Sequence, residues 1–358
     1  MIVKMRQITE AVGCLLCLAA LASCSLIDDD LSNCPPEQEN PATLDYELRL
    51  VTNMTTEVQT QLTAQTDVAL AATLQTHLSN IFTDHAHDVN LSFYDTQGDS
   101  ARLHHDQHIM NASEHSYTLY IPRQKYMHLA VANIEGDPIV HLEGDKTCHD
   151  AVLRQVDGDT IDSHNTGVFT ARQMMEMIEG IDQTFNVKLY MANCSAMLVI
   201  DPQGHDTKGI RTFATGFATA FHIADSIYEY SSHSPMIRAM RLDSDESGHI
   251  GFCSVNFPSR EIAPSAAPRQ TRTVIETTEP FVSPNGNDII WSFEVYVPQS
   301  DGSVTKNELG IMEPLRAGQL KIVRCKLGEN GAIETADQAV AVSVTLNWNS
   351  GGNYEPTL

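Results

Sequence analysis

Basic residues, tryptophan and long apolar runs are what this chain has least of. Lysine and arginine number 22 against 46 aspartates and glutamates, a formal charge of −24. Such a surface repels nucleic-acid phosphates and anionic headgroups, which excludes a nucleic-acid partner. The two tryptophans, Trp291 and Trp348, both fall in strand-like runs, which leaves little for a carbohydrate-stacking platform. There is no G-x-S-x-G, no H-E-x-x-H and no glycine-rich phosphate loop. The chain therefore reads as non-enzymatic, with no catalytic residues and no cofactor. No run approaches the ~20 apolar residues that cross a bilayer.

What is there begins at the N-terminus. Lys4 and Arg6 make a positive start, Val12 to Leu21 is a short apolar stretch, and Leu21-Ala22-Ser23-Cys24 matches a lipobox at all four positions. The alternative is an ordinary secretory cut beside a chance cysteine. On the lipobox reading, residues 1–23 are removed and Cys24 becomes the lipidated N-terminus. Each buried CH₂ adds about 0.8 kcal/mol, so two or three acyl chains hold a protein essentially permanently. Ser25 rather than aspartate follows Cys24, which fits sorting to the outer membrane. Residues 24–42 are a polar, acidic tether in which Pro35, Pro36 and Pro41 block regular structure. Cys14 and Cys17 lie in the discarded part. The five cysteines left beside Cys24 are an odd number, too widely spaced for a metal signature. Cys194, Cys253 and Cys325 sit in strand-like runs, where a free thiol packs as a small hydrophobe.

The remainder is dominated by short alternating segments. Leu44, Tyr46, Leu48 and Leu50 share one face of a first strand. Strands follow at 89–94, 117–121, 126–133, 185–191, 194–200, 236–242, 250–257, 271–276, 289–297 and 320–327. In the last one, Val340, Val342, Val344, Leu346 and Trp348 share a face. Leu70, Leu74 and Leu78 predict a helix over 66–81. Thr170 to Glu179 reads as a second helix, with Thr170 and Gln173 as a capping box, Gly180 as its stop and Met174, Met177 and Ile178 as its buried stripe. Residues 143–166 are turn-rich and read as a long surface loop. Many short strands with few helices indicate an all-β fold of two β-sandwiches, one over 43–200 and one over 201–358.

Eleven of the fifteen histidines lie between His77 and His164. His85, His87, His104, His105 and His108 are clustered enough to suggest zinc or nickel. They sit in polar, turn-like segments without a cysteine framework, so solvated side chains and no metal are expected. His128 alternates with Met127 and Leu129 and is expected to face solvent. The carboxylates of Asp157-Gly158-Asp159 and Asp243-Ser244-Asp245-Glu246 lack the further ligands of a calcium loop and read as solvated loops.

Two separated stretches resemble one family. Cys24, Asp29-Asp30-Leu31-Ser32 and Cys34-Pro35 resemble the mature start of the FimB/Mfa2-type fimbrial subunits, lipid-anchored members of the Bacteroidetes type V fimbriae. Ala341 to Gly352 resembles the final strand and tail of the same family. Phe93-Tyr94-Asp95-x-x-Gly98 and Val131-Ala132-Asn133-Ile134-x-Gly136 fit its first domain. The Asp28–Asp30 run is similar to export tags of surface lipoproteins in such bacteria. Asp99-Ser100-Ala101, Asp159-Thr160-Ile161 and Asp225-Ser226-Ile227 resemble their O-glycosylation triplet, a motif short enough to recur by chance. The resemblance implies two transthyretin-like sandwiches and an outer-membrane lipoprotein that attaches a fimbria and contributes to assembly and adhesion. It also implies shaft or accessory subunits as partners, joined by strand complementation. Val340, Val342, Val344, Leu346 and Trp348 are the candidates for that strand; an ordinary core strand is the alternative. The other class of function considered is a surface lipoprotein that binds a glycan or metal ligand.

Replacing Cys24 with alanine is expected to release the protein from the membrane fraction; continued co-sedimentation with membranes would contradict the lipid anchor.

Overall fold

The computed structural model describes residues 39–49, 68–110, 114–243, 248–261, 289–337 and 339–345. The lipobox, Cys34, most of the tether, the 271–276 segment, Leu346 and Trp348 lie outside them. Among the described residues the fold is all-β with one α-helix, as the alternation predicts.

A first sheet has the order β3 (Arg102–Ile109), β2 (Asp88–Asp95), β5 (Lys125–Ala132), β9 (Phe169–Glu176), β10 (Gln183–Met191), β1 (Asn40–Arg49) and β4 (Ser116–Ile121). β9 and β10 pair only through Tyr190↔Thr170 and Met191↔Phe169. The ribbon folds over at that corner into a sandwich. Leu91, Phe93, Tyr126 and Met175 face Leu44, Val187, Leu189 and Ile121 across one core. The two ends of the order come together: the Tyr117 hydroxyl of β4 donates to the Asp106 carboxylate of β3.

The second sandwich packs two sheets around another core. One sheet runs β16 (Met240–Asp243), β17 (Ile250–Asn256), β11 (Cys194–Asp201), β20 (Leu320–Leu327) and β21 (Ile333–Glu334). The other runs β22 (Val340–Thr345), β19 (Val304–Ile311), β18 (Trp291–Pro298), β12 (Arg211–Thr215), β15 (Met236–Arg238) and β8 (Thr160–Asp162). Trp291 anchors this core, with its ring 5.2 Å from Phe217 and its Nε1 donating to the Glu313 carbonyl at 2.9 Å. A small sheet of β14 (Ile227–Glu229), β13 (Ala220–His222), β7 (Val152–Gln155) and β6 (Val140–Glu143) covers the outer face of β2 and β5. β7 and β8 precede residue 200 but pair with β13 and β15 beyond it.

The predicted leucine-rich helix is α1 (Val68–Ile81). Leu70, Leu74 and Leu78 are buried in the first core, each adding about 2 kcal/mol by removing its side chain from water. The hydroxyls of Thr73 and Thr76 donate to carbonyls four residues back, at 3.1 and 2.9 Å. The helix end docks through Ile81, whose carbonyl accepts the Gly167 N–H at 2.8 Å. A Cβ on Gly167 would stand 2.6 Å from the Phe82 ring, so this approach needs glycine.

Five expectations are corrected. Asn40, Pro41 and Ala42 open strand β1 rather than ending the tether, with Pro41 opposite Tyr120 of β4. Residues 169–176 are strand β9, not a helix. Pairing with all eight residues of β5 outweighs the helix propensity of Ala171-Arg172-Gln173-Met174-Met175-Glu176. Alternation then buries Met175 and exposes Met174, and of the supposed stripe only Met177 is buried. His128 is fully buried, because β5 is covered on both faces: Tyr126 and Ala130 enter the first core, Leu129 and Val131 the core under the small sheet. Residues 143–166 contain β7 and β8 rather than a long loop. His104, His105 and His108 lie in edge strand β3 rather than in a turn.

Strand geometry at β9 makes adjacent methionines unequal. Met175→Ala is expected to lower stability by about 2–5 kcal/mol and Met174→Ala by less than about 0.5 kcal/mol, read from denaturant unfolding; a larger loss at Met174 would restore the helix.

Candidate functional site

The sequence-predicted strand is present as β22, which pairs antiparallel with β19 from Ile311↔Val340 to Lys306↔Thr345. Its entry is fixed by a short polar turn. The Thr335 hydroxyl donates to the Arg324 carbonyl at 2.7 Å, the Asp337 carboxylate accepts the Ala339 N–H at 3.0 Å, and Lys321 Nζ stands 3.5 Å from that carboxylate. Val340 is buried in the second core, whereas Val342 on the same face is 37% exposed. Val344 lies in β22, with its side chain outside the described part. Of this row, the described side chains are Val340, which is seated, and Val342, which is not.

β22 is the terminal strand of its sheet, and no described strand occupies its outer edge. Edge strands are ordinarily protected from pairing by charge, proline, brevity or cover. The other edges are so protected. β3 carries Arg102, three histidines and Asp106, β16 carries Arg241 and Asp243, and β8, β14 and β21 have three residues or fewer. β6 ends on Glu143, and β4 lies against β3 at the Tyr117–Asp106 contact. β22 reads Val-Ala-Val-Ser-Val-Thr, with no charge and no proline. Among the described strands, nothing pairs with its outer backbone ladder.

Charges lie on the adjoining strands instead. Lys306 on β19 reaches Glu294 on β18 at 3.0 Å, and the Tyr296 hydroxyl donates to Glu294 at 2.6 Å. Glu308 beside them has its carboxyl pushed above the usual range by burial and then by the charge of Glu294.

Four of the five clustered histidines have separate polar partners, and His104 lies against the Phe93 ring at 5.7 Å. His85 meets Asp84 at 3.0 Å, His87 meets Asp88 at 2.7 Å, His105 meets Asn90 at 3.2 Å and His108 meets Glu114 at 2.7 Å. Among the described residues no three His, Cys, Asp or Glu side chains are placed to hold one metal ion. Asp157 and Asp159 are exposed in the turn between β7 and β8. Cys148, Cys194, Cys253 and Cys325 are free and buried, as small hydrophobes are. Burial pushes the Cys253 thiol up to about 12, and Cys194 and Cys325 upward as well, so none is a ready nucleophile. Sequence reasoning missed Arg154 and Glu229, which pair at 3.2 Å across 75 positions. No local pattern marks such a contact.

No protein-family model matches the chain, and no curated protein matches it. Solved structures do align with it. The fimbrial anchor protein Mfa2 from Porphyromonas gingivalis aligns over 87% of this chain and 98% of its own, with 10% identity and a TM-score of 0.45. The tip fimbrial protein Mfa3 of the same organism, truncated at its C-terminus, aligns over 87% and 100%, with 10% identity and a TM-score of 0.40. A Bacteroides ovatus protein assigned as an adhesin aligns over 84% and 94%, with 9% identity and a TM-score of 0.49.

The buried histidines set an acid limit. His128 stacks on Phe93 at 4.4 Å and burial holds its pKa near 4; burial likewise holds His164 near 3. Both values lie below the ordinary 6.5, so the unfolded chain takes up these protons first as pH falls. Their contribution is complete above about pH 6.5 and is lost on the way to about pH 4 for His128 and about pH 3 for His164, with about 2 kcal/mol gone per histidine at about pH 5. His128→Phe is expected to flatten the slope of stability against pH in that window by about one proton. An unchanged slope would show that His128 does not titrate in this way.

Proposed function

We propose that the chain is a lipid-anchored subunit of a FimB/Mfa2-type fimbria. It is held at the outer membrane through Cys24 and joined to shaft or accessory subunits through the β22 edge of its second sandwich. The observation that carries this reading is the unprotected edge. An uncharged strand with Val342 unseated is suited to accept a neighbour's strand, or to be exchanged with one. In either case main-chain hydrogen bonds supply affinity and alternate side chains supply register. Val340, Val342, Val344, Leu346 and Trp348 are the strand-complementation residues on this reading. The lipobox at Leu21–Cys24 and the acidic tether after it support a role at the cell surface, where the tether sets the distance between membrane and first sandwich. The absence of catalytic motifs from the sequence supports a structural role rather than an enzymatic one.

Deleting the gene and imaging the cells by electron microscopy is expected to show fimbriae that are fewer, detached or altered in length. Fimbriae unchanged in number, length and attachment would overturn the proposal.

A further inference from the structure

A cavity of about 240 Å³ opens in the first sandwich, between the end of α1, the turn after β5 and the residues that lead into β9. Drug-sized ligands take roughly 300 Å³ or more, so it is too small for one. It has room for an ion with a few waters, each needing about 30 Å³. Asp137 lines it and is 8% exposed. Its Oδ1 accepts the N–H groups of Ile139 and Val140, at 2.7 and 2.8 Å. Its Oδ2 is buried and has no partner among the described residues. A buried carboxylate in that state is costly unless a charge or a donor meets it. Three neighbouring donors are committed elsewhere. His87 Nδ1 stands 2.7 Å from the buried carboxylate of Asp88, the Asn133 amide donates to the Gly167 carbonyl at 2.9 Å, and the Thr83 hydroxyl donates to the His85 carbonyl at 2.7 Å. Asp137 acts on His87 through its charge alone, behind the bond from Asp88.

The rest of the lining offers oxygen. Glu135 is exposed and takes Gln107 Nε2 on one carboxylate oxygen, which leaves the other. Asn80 and Asn165 add exposed amides and Thr166 a hydroxyl. α1 ends here, and the C-terminal end of a helix carries partial negative charge. Two carboxylates beside that end disfavour an anion. No thiol lines the cavity, and its one imidazole is paired with Asp88. Oxygen donors without sulfur suit a hard cation. Calcium accepts an irregular set of about six to eight oxygens, whereas magnesium demands a near-ideal octahedron. We propose that this cavity binds a calcium ion, anchored by Asp137, with Glu135 as the second carboxylate and Asn80, Asn165, Thr166 and waters completing the shell. Among the described residues no third acidic or imidazole side chain is placed to join them, which sets the affinity at the weak end of calcium sites, about 10⁻⁴–10⁻³ M. The site belongs to the first sandwich and does not rest on the reading of the β22 edge.

Isothermal titration of the full chain with calcium chloride tests it, in about 100 mM KCl to screen the diffuse negative charge of the surface. Saturable binding to one site is expected. Asp137→Asn keeps an oxygen for the Ile139 and Val140 N–H groups and removes the uncompensated charge. It should therefore fold, melt no lower than the parent in EDTA, and bind calcium at least about tenfold more weakly. Glu135→Gln, on an exposed side chain, should bind about fivefold more weakly. Asp99→Asn makes the same change in net charge at an exposed position away from the cavity and should bind as the parent does. No saturable binding by the parent up to about 10 mM calcium would overturn the proposal. So would an affinity left unchanged by Asp137→Asn or by Glu135→Gln, or tighter binding of methylammonium than of calcium.

Discussion

The structure depends on one strand that must satisfy two cores at once. All seven residues from Cys194 to Ile200 in β11 are buried. Met197 and Val199 face α1 and the first sandwich, while Cys194, Ala196, Leu198 and Ile200 face the second. Because both faces are apolar, a one-residue slip would not expose this strand to water; it would mismatch volumes in two close-packed interiors. Gly251 on the neighbouring β17 makes the fit specific. A Cβ there would stand 2.6 Å from the Met197 methyl and 3.3 Å from Leu70 of α1. The missing side chain is the socket in which the helix and the central strand meet, and it joins the two sandwiches into one packed body.

The sequence was legible wherever one face of an element is wet. Tyr46 alternating with Asp45 and Glu47, Leu70 with Leu74 and Leu78, and the valines after 339 all announced their elements. It was illegible where both faces are dry. On β5 the alternation marks the Leu129 row as the core side and leaves His128 to solvent; the small sheet closes the second side, and its strands come from distant positions. β7 and β8 were hidden because each has four residues or fewer and gains its partners from beyond residue 200. At β9 local propensity pointed to a helix, and only the pairing with β5 decided otherwise. At β3 the histidines on both faces left no period to read. Of the candidate site, the alternation of β22 was visible in the sequence. Its place at an open edge was not, because edge status belongs to the arrangement of the other strands.

That arrangement bears on function through what it protects. Charge, brevity or contact with β3 guards the remaining edges, and among the described strands the uncharged β22 carries none of these devices. A monomer under no demand to pair would gain from a lysine or proline there, since an open apolar edge invites aggregation. Its absence is consistent with an edge that meets a defined partner. On the proposed reading, the tether and lipobox would hold that edge near a membrane surface.

The most direct measurement is site-specific photo-crosslinking in intact cells, with the reactive side chain at Val342 or Ser343 of β22 and a control at the exposed Asn186 of β10. The account expects covalent adducts between this chain and another fimbrial subunit from the β22 positions and none from the control. Adducts from neither position, or from both equally, would contradict an assembly edge at β22.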